Sequence, residues 1–93
     1  MSAFDELYVR FFKAAVKCHI SAECYSMEPP PLAGLDLATY WGAQAMAYGL
    51  CARDVGQYLS EFKRRQLEGM FFKGQFTIGS AGEVRLYDAP ATK

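Results

Sequence analysis

The sequence predicts a mainly α domain closed by a C-terminal β-hairpin, an α+β class with three helices. Apolar residues recur at three- and four-residue steps from Phe4 to Cys18, and again across residues 36–68. After Gly69 the pattern changes to alternation, first in residues 75–78 and then in 83–87. Ninety-three residues supply one hydrophobic core and no second one.

The first helix is expected over residues 2 to about 24. Phe4, Leu7, Tyr8, Phe11, Phe12, Ala15 and Cys18 fall on one side, with Asp5, Glu6, Arg10, Lys13 and Lys17 elsewhere. Ser2 suits an N-cap, and Asp5 and Glu6 suit the positive helix end. Residues 1–25 thus form a packing helix, whose aromatic residues Phe4, Tyr8, Phe11 and Phe12 are also the expected interface of a homodimer. Pro29, Pro30 and Pro31 cannot continue a helix, so residues 26–35 read as a rigid connector.

A second helix is expected from Asp36, its N-cap, to about residue 48, with Leu37, Trp41, Gln44, Ala45 and Tyr48 on one side. A third runs from Ala52 or Arg53 to near Glu68, with Val55, Tyr58, Leu59 and Phe62 facing the core and Gly69 closing it. Gly79, Ser80, Ala81 and Gly82 make a compact turn between the two strands. Phe76 and Ile78 share one face, as do Val84 and Leu86. Residues 1–88 then form a single domain and 89–93 a tail.

Ten basic and ten acidic residues cancel, which argues against nucleic-acid binding by bulk charge alone. The division is slightly uneven, with three Lys or Arg against five Asp or Glu in residues 1–49 and seven against five in 50–93. Cys18, Cys24 and Cys51 lack paired spacing, and His19 is the single histidine, so no metal set is expected and a reducing, cytoplasmic setting fits. Arg10, Lys13 and Lys17 interrupt the first apolar stretch, which speaks against a membrane span or a signal peptide. No phosphate loop and no isolated acid–base pair is present, so neither an enzyme nor a cofactor is expected. Seven phenylalanines, six tyrosines and one tryptophan are many for so short a chain, and some are expected in a partner interface.

One spacing carries more information. Ala45 is followed by Gly49 four residues later, then Leu50, then Val55 and Tyr58. In a helix-turn-helix the alanine is small because the next helix crosses close to it, and the glycine takes the left-handed conformation of the turn. Leu50 packs under the turn while Val55 and Tyr58 hold the second helix on the first. Residues 44–59 resemble the helix-turn-helix of phage and bacterial repressors. With the hairpin, residues 36–88 resemble a winged helix-turn-helix in which 36–68 is the helix pair and 75–87 the wing.

That resemblance implies a third helix in the major groove of double-stranded DNA and a hairpin tip near the backbone. Arg53 and Gln57 would read base edges, Gly56 would permit close approach, and Ser60 would face the same groove. Gln44, Lys63, Arg64, Arg65, Lys73 and Arg85 would serve phosphates. Asp54 and Glu61 depart from the pattern, since they sit near the supposed DNA face. Phe62 and the Gly69, Met70, Phe71 group are also spaced wider than in many winged helices. The resulting expectation is a sequence-specific transcriptional regulator. The other reading is a phage- or plasmid-type module that binds and blocks a host or defence protein.

Overall fold

The computed structural model describes residues 2–26 and 37–87. Helix α1 spans Ala3–Ser26, and its start follows from three residues. The Ser2 hydroxyl accepts from the Asp5 amide at 3.1 Å, while the Asp5 carboxylate accepts from the Ser2 amide at 3.4 Å. This reciprocal cap is the arrangement of a capping box, with aspartate in place of the usual glutamate. Tyr8, Phe12, Ala15 and Val16 then recur at helical spacing and are fully buried.

Helix α2 spans Leu37–Gly56 without interruption. The break expected at Gly49 is absent, and Gly49 lies inside the helix. Its neighbours explain the glycine. Ala45, Gly49, Ala52 and Gly56 are the buried residues of α2, spaced four, three and four apart. They form a narrow stripe of small side chains on one helix face, along which α1 and the hairpin pack. The spacing that resembles a helix-turn-helix is here the contact face of one long helix.

The chain breaks eight residues later than the break predicted after residue 48. Residues 57–60 turn through hydrogen bonds from the Tyr58 amide to the Val55 carbonyl and from the Leu59 amide to the Gly56 carbonyl, both 3.0 Å. Helix α3, Glu61–Gly69, follows, capped by the Ser60 hydroxyl, which accepts from the Lys63 amide at 3.0 Å. The expected single helix from residue 52 or 53 to 68 is therefore two segments. Tyr58 and Phe62, expected in the core, project outward because Ser60 restarts the helical phase. Leu50 is likewise exposed instead of tucked under a turn.

Gly69 ends α3 as expected, but the left-handed backbone comes later, at Phe72, Lys73 and Gly74, with φ of 55°, 57° and 69°. Such a conformation costs a non-glycine residue roughly 1–2 kcal/mol. Phe72 is held there by edge contacts of its ring with Phe12 and Phe76, at 6.1 and 6.0 Å between centroids.

Strands β1, Phe76–Ile78, and β2, Val84–Leu86, pair antiparallel, with Phe76 opposite Leu86 and Ile78 opposite Val84. The hairpin stands where the alternation predicts it. Ile78 enters a core built with Tyr8, Phe12, Ala15, Val16, Ala52 and Leu67. The proline connector, the Asp36 cap and the 89–93 tail lie outside the described residues. No helix among the described residues is long and apolar enough to cross a membrane.

Candidate functional site

Of the residues expected to meet DNA, Arg53, Gly56, Gln57 and Arg64 line one cleft, whereas Gln44, Ser60, Lys63, Lys73 and Arg85 do not line it. Gln44 is half-buried in the middle of α2, and Ser60 is spent on capping α3. Gly56 is covered by its own fold, since an added Cβ would lie 3.0 Å from both the Tyr8 ring and the Arg64 side chain. Its small size serves helix packing. Lys73 stands exposed in the left-handed turn.

Arg53, expected to read bases, and most of the cations expected to bind phosphate have an acidic partner. Arg53 donates from Nε and Nη2 to Asp54 at 3.2 and 3.1 Å, and from Nη1 to the Ser80 carbonyl at 3.4 Å. Lys63 lies 3.6 Å from Asp5. Arg65 lies 3.6 Å from Glu61 and 3.8 Å from Glu68, and its guanidinium covers the Tyr87 ring at 4.8 Å. Arg85 lies 4.0 Å from Glu83. These are mostly exposed pairs, individually worth about 0–1 kcal/mol. Together they lower the positive potential that α3 and the hairpin offer a phosphate chain.

The hairpin does not project as a free wing. The Gly82 carbonyl is seated directly over Gly49, and a β-carbon on Gly82 would lie only 2.9 Å from the Leu50 amide nitrogen. Only Ser80 and Ala81 are exposed at the turn.

Of the expected dimer residues, Tyr8 and Phe12 are each 1% exposed and stack on one another inside the monomer at 6.2 Å. They are unavailable to a partner. Phe11 is half-buried against the same core, which leaves Phe4 as the exposed member of the set.

Phe4 instead belongs to a cluster that the helical pattern concealed. Its ring stacks on Tyr58 at 5.1 Å with planes 14° apart. Phe62 projects from the first turn of α3, next to Lys63, whose ammonium meets Asp5 beside Phe4. Phe4, Tyr58 and Phe62 are 46%, 67% and 77% exposed. The Ser60 cap was the available signal, because a helix starting there turns Phe62 away from the core side occupied by Leu67.

Beneath this junction lies a buried polar pair. The Tyr8 hydroxyl donates to Glu68 Oε2, and the other Glu68 oxygen faces Arg65. Burial, then the hydrogen bond to the carboxylate, raises the Tyr8 phenol well above its usual range. At Asp5, desolvation acts upward but is outweighed by hydrogen bonds from Ser2 and the nearby Lys63 ammonium, leaving its carboxyl below the ordinary value. Cys18 is buried, which raises its thiol pKa, whereas Cys24 and Cys51 are exposed. No group of three or more potential metal ligands occurs among the described residues.

Comparison of the chain with protein-family models, with curated proteins and with solved structures finds no match.

Proposed function

We propose that this chain is a protein-interaction module whose contact centres on Phe4, Tyr58 and Phe62. The observation that carries this reading is the exposed stack of Phe4 at the start of α1 on Tyr58 in the turn before α3, with Phe62 exposed four residues on. Isolated exposed apolar residues are ordinary, but a group of large aromatics is the composition of an interface anchor. Phenylalanine and tyrosine have few rotatable bonds, so they supply contact area at low entropic cost.

The charge distribution supports the same reading. A protein that neutralises many phosphates needs cations free to replace counterions. Here Arg53, Lys63, Arg65 and Arg85 already face carboxylates, and the chain carries no net charge. The regulator reading retains two observations, the run of Lys63, Arg64 and Arg65 on a partly exposed helix and the shared cleft of Arg53, Gln57 and Arg64.

Two measurements separate the readings. Affinity capture from the source cells should retain a discrete protein with the unaltered chain and lose it with Tyr58→Ser/Phe62→Ser. Both changes are at exposed positions, so the variant should keep its melting temperature. Random duplex DNA titrated at two salt concentrations should show no salt-dependent binding near micromolar protein. Retention of the same protein by the double variant, or tight salt-dependent DNA binding, would overturn the proposal.

A further inference from the structure

Arg53, Gln57 and Arg64 converge on a cleft between the end of α2, the start of α3 and the hairpin turn. The cleft has a volume of about 300 Å³, with Ser80 on its hairpin side and Tyr8 and Ile78 as apolar lining. Among the described residues no aspartate or glutamate lines it. We propose that this cleft binds a carboxylate carried on a short apolar stem, held between the guanidinium groups of Arg53 and Arg64.

Arg64 provides the first reason. Its Nε is buried and has no hydrogen-bond partner, while its aliphatic part lies over Gly56. An unpaired buried donor on a charged group is costly, and although Nε itself is shielded from solvent, the Arg64 side chain lines the cleft and offers it the same delocalised charge. The neighbouring acid, Glu68, accepts from Tyr8 on one oxygen, while its other oxygen lies 3.8 Å from Arg65 and has no hydrogen bond to it or to Arg64.

Arg53 provides the second. Asp54 holds its Nε and Nη2 edge, which fixes the plane of the guanidinium. Nη1 is left pointing to the hairpin, where its acceptor is the Ser80 carbonyl at a long 3.4 Å. A carboxylate oxygen would be a stronger acceptor than that carbonyl, because both partners would then be charged.

The surroundings select the kind of anion. Arg53 and Gly56 belong to the last turn of α2, where the helix presents its partial negative charge. That end opposes a doubly charged phosphate more than a singly charged carboxylate. The narrow edges of Ile78 and Tyr8 that line the cleft offer apolar contact to a methylene group, which inorganic phosphate lacks, although neither residue is open enough to meet a protein partner. The cleft uses none of Phe4, Tyr58 and Phe62, so it and the aromatic cluster can fail separately.

The test is a titration of the full ¹⁵N-labelled chain with butyrate, with inorganic phosphate and with sodium chloride at matched ionic strength. Butyrate should give saturating shifts at the Gln57 and Ser80 amides and at the Arg64 Nε–H. Arg53→Gln and Arg64→Gln should each weaken it roughly tenfold, the effect of one lost charge-assisted hydrogen bond. If Arg64→Gln does not fold, Arg64→Lys and the exposed Arg53→Gln decide the matter. Shifts reproduced by chloride, shifts unchanged by the arginine substitutions, or saturation by phosphate at lower concentration than butyrate would overturn the proposal.

Discussion

The carbonyl oxygen of Gly82 lies 1.7 Å from where a β-carbon on Gly49 would stand. This approach joins the hairpin turn to the middle of α2 and explains why a helix interior carries a glycine. Gly49 has ordinary helical backbone, since positive φ among the glycines occurs only at Gly74 and Gly82 in the described residues.

Gly49→Ala should therefore destabilise the domain, although alanine favours a helix by about 1 kcal/mol over glycine. The clash is with backbone, which cannot rotate away, so a net loss of about 1–3 kcal/mol is expected in denaturant unfolding. Gly49→Asn discriminates further. At a left-handed turn asparagine would be milder than alanine, whereas the packed helix requires it to be as damaging or worse.

The reason this contact was illegible explains much of what the sequence concealed. Ala45, Gly49, Ala52 and Gly56 suit either a tight turn between two helices or the small face of one helix. The residue that decides, Gly82, is 33 positions away in the chain. Local patterns were more informative where the partners were local. Ser2 and Asp5 announced the start of α1, and the Gly79 to Gly82 turn announced the hairpin between alternating strands. Tyr58 and Phe62 continue the phase of Val55, which by spacing alone puts them in the core. Recognising Ser60 as a cap resets that phase and exposes the cluster. The pairing of Asp5 with Lys63 joins residues whose proximity no spacing rule contains.

Tyr8 and Glu68 give a prediction for alkaline solution. A phenol whose folded pKa is raised contributes stability that is present below the unfolded value and is lost as pH rises beyond it. The unfolded value is about 10, so stability should decline above that pH. Absorbance at 295 nm should show Tyr8 ionising only as the chain unfolds. Tyr8→Phe should abolish that coupling and cost about 1–3 kcal/mol at neutral pH, because it leaves a buried carboxylate oxygen unpaired. A Tyr8 phenolate formed in the folded protein near pH 10 would contradict the buried pair.

The thiols should divide by burial. Cys24 and Cys51 are exposed and should react promptly with a disulfide reagent in the native state. Cys18 is buried in α1 and should react only at the rate of local or global opening. Mild denaturant should accelerate Cys18 alone. Equal rates for all three would show that α1 is not packed as described.

The aromatic cluster is the centre of the functional account, and site-specific photo-crosslinking reads it most directly. A photoreactive phenylalanine analogue at position 62, introduced in the source cells, should yield a discrete crosslinked protein. The same analogue at the exposed Lys17 of α1 should not yield that species. A crosslink of equal intensity from both positions, or nucleic acid as the species captured at position 62, would contradict a protein interface centred on Phe4, Tyr58 and Phe62.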